Sequence, residues 1–147
     1  MSDIYTSLNQ ILVKLFNDIL SIEEKALITD EFCDISVTDM HIIEAIGIGD
    51  MRTMSEISHA LGVTMGTLTI GINGLVKKGY ATRTRSDKDR RVVYAILTPK
   101  GESAYRHHMS FHQDMINSIT DRLTDEEAVI LTKSFETLEE FFQRYDK

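Results

Sequence analysis

A chain of 147 residues, 42% hydrophobic and 27% charged, is about one domain's worth of sequence with enough apolar residues for its own core, which excludes a disordered polymer. No run of about eighteen apolar residues marks a membrane span, and the first twenty residues lack the basic start and cleavage site of a signal peptide. One cysteine excludes an internal disulfide and suits a reducing cytoplasm, and the net charge of −7, taken alone, argues against a nucleic-acid partner.

From Ile4 to Leu27, apolar residues at Ile4, Leu8, Ile11, Leu12, Leu15, Ile19, Ile22 and Ala26 predict a long amphipathic helix. Thr29 to Asp34 reads as an acidic loop holding Cys33. Ser36 is placed to cap a helix through Met40, Ile43 and Ile46, ended by Gly47 and Gly49. Thr53-Met54-Ser55-Glu56 is a capping box for a short helix that Gly62 closes in the left-handed conformation, and Thr64 caps the next helix, which runs to Lys78. In that helix Leu68, Ile72, Leu75 and Val76 recur at core spacing. Gly66, Ile70, Asn73 and Lys77, flanked by Thr67 and Thr69, occupy the opposite face.

After Gly79 come two short alternating strands around the charged turn Ser86-Asp87-Lys88-Asp89-Arg90-Arg91. Arg83 and Arg85 share one side of the first strand. In the second, Val92, Tyr94 and Ile96 alternate with Val93, Ala95 and Leu97, a strand without a solvated face. Thr98-Pro99 opens a fifth helix with its seam at Tyr105, Met109, His112, Ile116, Ile119 and Leu123. A second capping box at Thr124-Asp125-Glu126-Glu127 opens the last helix. One face of it carries Ala128, Leu131, Phe135, Leu138, Phe142 and Tyr145, with Phe141 beside them.

Helix, glycine turn, helix and hairpin in this order make a winged helix-turn-helix, so the expected fold is mainly α with a small β-hairpin wing. Such a module places its second helix in the major groove of double-stranded DNA. There Asn73 suits adenine and the exposed Ile70 suits a thymine methyl. The charge distribution agrees. Residues 52–100 hold nine Lys/Arg against three acidic residues, an excess of +6, while the remainder carries −13. A basic segment inside an acidic chain marks a phosphate-binding surface. The expected DNA-binding residues are Thr64, Gly66, Thr67, Thr69, Ile70, Asn73, Lys77, Arg85, Lys88, Asp89, Arg90 and Arg91. The first and last helices are too long and apolar for one small module to cover, which predicts a homodimer with two recognition helices roughly 34 Å apart on a palindromic site.

Lys78-Gly79-Tyr80, Asp89-Arg90-Arg91 and Leu97-Thr98-Pro99-Lys100-Gly101, set between a long first helix and two closing helices, resemble the MarR family of dimeric bacterial repressors over the entire chain. Within the family the sequence is most similar to the FabT-type repressors of fatty-acid synthesis. Leu15-Phe16-Asn17, Ile22-Glu23-Glu24, Ile35-Ser36, Met40-His41, Val63-Thr64, Gly66-Thr67, Arg83, Arg85-Ser86, Asp89 to Val93 and Phe111-His112 carry that narrower match. The resemblance implies a single domain over 1–147, with its DNA-binding part at 36–100 and dimerisation helices at 1–30 and 99–147. It also implies a long-chain acyl-acyl carrier protein as co-repressor, Arg91 as the inserted wing side chain, Asp89 orienting it and Arg90 nearer the phosphates. Two positions depart from the pattern. Many family members carry a basic residue where Ile70 stands, and Cys33 is not a FabT-type feature.

As an enzyme the chain is poorly equipped. It has no nucleophile elbow and no phosphate-binding glycine loop, and the acidic loop around Cys33 disfavours a thiolate paired with His41. A ligand pocket is expected where the first, second and fifth helices meet, lined by Leu15, Phe16, Ile19, Met40, His41, Ile43, Tyr105, Met109, His112 and Ile116. That composition suits a hydrocarbon chain with a polar end. No metal is expected. The alternative is a zinc-responsive repressor, with Cys33, His108 and His112 as ligands and His41, Glu24, Glu44 and His107 in the first third or beside them. A repressor of another small-molecule or redox signal is the remaining possibility.

Overall fold

The protein is described by a computed structural model that covers residues 2–27, 29 and 31–146. Positions 1, 28, 30 and 147, which fall in the expected terminal helical regions and the Thr29–Asp34 loop, lie outside the described residues. The order of elements is α1 (Ser2–Leu27), α2 (Val37–Ile46), β1 (Arg52–Thr53), α3 (Met54–Leu61), α4 (Met65–Lys78), β2 (Ala81–Arg85), β3 (Val93–Leu97), α5 (Pro99–Thr120) and α6 (Asp125–Gln143). Two compact units, Met1–Met109 and Ser110–Lys147, divide the chain within α5. The fold is mainly helical, and no single helix among the described residues is long and apolar enough to cross a membrane.

The helix ends follow from their capping residues. Ser36 and Thr124 each form both halves of a capping box, with Asp39 and Glu127. At Thr53 the structure describes the forward half, its hydroxyl accepting from the Glu56 amide at 3.1 Å. Gly62 (φ 66°) and Gly79 (φ 86°) close α3 and α4 in the left-handed region.

In the first unit the core gathers Met40, Ile43 and Ile46 of α2, Ile57 of α3, Leu68, Ile72 and Leu75 of α4, and Tyr80, all fully buried. α2 and α4 approach so closely at Gly71 that a Cβ there would stand 2.4 Å from Ile42 Cδ1. The hairpin β2–β3 pairs as expected, with Arg83 opposite Ala95. β1 was not expected. Its two residues add to the other edge of β3, giving a three-stranded antiparallel sheet in the order β1-β3-β2.

The seam of α5 differs from the expected one. A Cβ at position 101 would lie 2.0 Å from the Tyr80 carbonyl oxygen, so the missing side chain lets α5 rest on that backbone. Thr98 locks the junction, its amide donating to Tyr80 O at 3.0 Å and its hydroxyl to Gly79 O at 2.6 Å. This fixes the rotation of the helix, so Gly101, Ala104 and His108 form the buried stripe while Met109 faces solvent.

The loop before α2 is pinned as well. Phe32 and Ile35 are buried, and the Tyr80 hydroxyl donates to Asp34 Oδ1 at 2.5 Å. That bond, ahead of the nearby Lys100 charge, holds the Asp34 carboxyl below its ordinary range. Burial first, then the same bond, pushes the Tyr80 phenol well above its own.

In the second unit, the end of α5 and α6 bring Ile116, Ile119, Leu123, Ala128, Leu131 and Phe135 around a shallow apolar groove. No residue of α6 is fully buried.

Candidate nucleic-acid interface

α3 and α4 meet at 108°, within the about 90–120° of helix-turn-helix pairs. Thr64 begins α4, its hydroxyl accepting from the Thr67 amide at 3.2 Å and donating to Thr67 Oγ1 at 3.0 Å. Leu68, Ile72 and Leu75 hold the helix to the core, so the expected face of Gly66, Thr67, Ile70, Asn73 and Lys77 is turned outward. Thr69 is half-buried, its hydroxyl turned back to Met65 O at 2.7 Å.

The turn of the wing is organised by Ser86 and Asp89. The Ser86 amide donates to Val92 O at 2.9 Å, and its hydroxyl takes the Lys88 and Asp89 amides at 3.3 and 3.4 Å. Arg85 Nη1 donates to the Arg90 carbonyl at 2.8 Å, tying strand to turn. Asp89 receives Arg91 in fork geometry, Nε at 3.1 Å and Nη2 at 3.2 Å, and also the Arg91 amide at 3.1 Å. These bonds, side chain first, keep the Asp89 carboxyl below its ordinary range and leave the Arg91 side chain presented to solvent. Arg90 is exposed beside Asp87, Nη1 to Oδ1 3.9 Å, and Lys88 is exposed at the tip.

Helix and wing face one opening. Arg83 and Arg91 line a cleft together with Ser55 of α3 and Met65 and Thr69 of α4. Arg83, Ser55 and Met65 were not among the expected contact residues, and the alternation that put Arg83 beside Arg85 was the signal for the first of them.

The expected ligand-pocket residues are placed unevenly. Met40 and Ile43 belong to the closed core. Ile19 and Tyr105 are half-buried, and Leu15, Phe16, His41 and Met109 are exposed in one chain. In the second unit His112 is half-buried, its ring edge-on to Phe111 at 5.8 Å, and Ile116 is exposed.

Of the alternative zinc set, Cys33 is exposed on its loop, whereas His108 is buried. His108 Nε2 lies 2.9 Å from Glu44 Oε1 and 3.3 Å from Glu23 Oε1, and His41 Nε2 lies 3.9 Å from Glu23 Oε1, so α1, α2 and α5 meet there. The buried acid is Glu23. Glu24, named in the sequence reading, is exposed. His107 instead packs on Phe32, centroids 5.6 Å apart, with Nε2 3.0 Å from Ala26 O.

Residues 34–92 match the MarR family model. The chain is similar to the crystal structure of Streptococcus pneumoniae FabT in complex with DNA, with 40% identity over 96% of this chain and 99% of that one and a TM-score of 0.85. It is 30% identical to the multiple antibiotic resistance protein MarR of Salmonella typhimurium over 67% of this chain and 69% of that protein. To the HTH-type transcriptional regulator YhjH of Bacillus subtilis it is 25% identical over 71% of its own length, and it spans 61% of the length of that relative.

Proposed function

This chain belongs to the MarR family, and from that premise we propose a homodimeric repressor of fatty-acid synthesis genes that binds a palindromic operator more tightly when a long-chain acyl-acyl carrier protein is bound. As a family member it is a DNA-binding transcriptional regulator and not an enzyme. The finer reading is carried by the 40% identity to DNA-bound FabT across nearly all of both chains.

Dimerisation is supported by apolar faces left open in one chain. Ile4 is 62% exposed on α1, and Ile130 is 65% exposed on α6. On each helix taken by itself, apolar side chains left this open suit an interface. A two-fold axis would present two copies of α4 about one DNA turn apart. In each half-site α4 enters the major groove, with Asn73 reading base edges and Lys77 and the Thr64 and Thr67 hydroxyls near phosphates. The wing lies along the minor groove with Arg91 inserted in the orientation Asp89 gives it. Arg85, Lys88 and Arg90 add positive charge. An operator of this kind is cytoplasmic, as is the carrier protein.

The acyl chain is assigned to Leu15, Phe16 and Ile19 of α1 with Tyr105 and Met109 of α5, apolar side chains with one phenol among them. Each methylene buried there contributes about 0.8 kcal/mol. The ligand strengthens DNA binding only through tighter binding to the DNA-competent arrangement of the dimer. The test is operator affinity at fixed salt with long-chain acyl-acyl carrier protein, with unacylated carrier and with neither. Tighter binding in the first condition alone is expected, and equal affinity in all three removes the lipid signal.

A zinc-responsive regulator is the second reading. It is favoured by the two carboxylates, Glu23 and Glu44, that converge on His108 Nε2. Carboxylate and imidazole are zinc donors. Operator binding that weakens on chelation in the wild type, and not in Glu23→Gln, would establish it.

A further inference from the structure

Among the described residues from 37 to 97, Ile70 is the most exposed large apolar side chain, at 76%. It stands in the middle of α4, at the centre of the face opposite Leu68 and Ile72. An isoleucine there gains nothing for the free chain. It buries little surface, and its branched side chain is a poorer helix former than alanine or lysine. Its surroundings are polar. Thr67 and Asn73 flank it and Lys77 lies two turns along, so there is no apolar patch of the size a protein partner would cover.

The glycines of α4 sharpen the point. Gly71 has an internal explanation, since Ile42 occupies the space a side chain would need. Gly66 and Gly74, one turn before and one turn after Ile70, have none. A Cβ at 74 would meet nothing within 4 Å, and one at 66 only Thr64 Oγ1 at 4.0 Å. Glycine inside a helix is destabilising relative to alanine. Two such positions and an exposed isoleucine, aligned along one face, describe a helix shaped for a surface that comes close on both sides of a single apolar contact.

We propose that Ile70 is the specificity-determining side chain that reads the 5-methyl group of a thymine in each half-site, and that Gly66 and Gly74 are bare so that Ile70 can reach it. This rests on the reading of α4 as the helix that enters the major groove. The thymine methyl is the only apolar group among the natural bases on the major-groove edge. A lysine or arginine at this position would direct the helix to guanine instead.

The experiment starts with selection of an operator from random duplexes by the purified wild-type protein. Each thymine of the selected site is then replaced by uracil, which removes the methyl and leaves base pairing intact. For the wild type, one thymine per half-site is expected to cost about fourfold in affinity on replacement, the transfer free energy of one methyl-sized group. For Ile70→Ala that penalty is expected to vanish while those at other positions persist. Gly66→Ala and Gly74→Ala are expected to raise the melting temperature by about 2–4 °C and to weaken operator binding.

Failure at each level is distinct. If no sequence is selected, the groove-reading role of α4 falls. If an operator is selected but no uracil penalty depends on Ile70, the methyl contact is overturned and that role stands. If the alanine variants bind as tightly as the wild type, the clearance at Gly66 and Gly74 is overturned.

Discussion

The segment from Val37 to Leu97 and the helix α1 before it obey the same amphipathic rule, and only the segment buries what the rule sets aside. In α4, Leu68, Ile72 and Leu75 are closed over by α2, α3 and the sheet. In α1, Ile4, Leu8, Ile11 and Leu15 recur at helical spacing and stay open. α6, within its own unit, behaves like α1, with Phe135, Phe141 and Phe142 each about half exposed. Periodicity therefore states that a face must be covered, and the length of the helix relative to its module states by what. A helix of 14 residues finds its cover within a small module, whereas one of 26 outruns it. Stability of the chain is expected to reside in the module and, on the reading proposed above, assembly in the long helices.

The comparison is broken most severely from inside the module. Ile72→Ala removes buried methylenes where neighbours are close-packed and is expected to cost about 2–5 kcal/mol, read as a lower urea midpoint at constant m. Leu8→Glu on α1 tests the opposite region. It should leave the module folded by amide spectra and shift sedimentation from dimer to monomer, a loss on the order of 2 kcal/mol in association. A variant that stays dimeric would show that the open face of α1 is not the interface. Arg91→Ala sharpens the picture within the module, because an exposed arginine paired only with Asp89 adds little to stability while the proposed operator contact depends on it. Operator affinity is expected to fall by about 1–3 kcal/mol at fixed salt with the thermal midpoint unchanged. Unchanged affinity would remove Arg91 from the interface.

What the sequence made legible was local. The hydroxyls of Ser36, Thr53, Thr64 and Thr124 begin helices where their spacing to the next polar residue says they should, and Gly62 and Gly79 end them. The Asp89–Arg91 fork followed from the resemblance and stands in the structure. Three features escaped. Arg52 and Thr53 are too few to show alternation, so β1 was invisible. The rotation of α5 is set by what Gly101 lacks, and a reading that follows large apolar residues passed over it to Tyr105 and Met109. The third is the burial of Glu23 and Phe32, on which the residue pattern is silent. A carboxylate reads as surface until a buried imidazole is known to lie 3.3 Å away, and an aromatic inside an acidic loop reads as incidental until Tyr80 is known to lie beneath it.

The two-residue strand β1 has a kinetic consequence. The β2–β3 hairpin closes a short loop and can form early, whereas pairing Thr53 with Tyr94 requires α3 and α4 to have been laid down between them. The entropy of closing that longer loop is recovered by only two residues of ladder. β1 is thus the last part of the sheet to zip and the first to fray, a latch holding the wing against the start of α3. Slow hydrogen exchange at the hairpin with faster exchange at Arg52 and Thr53 would be its signature, and the wing would gain and lose a fixed bearing without the module unfolding.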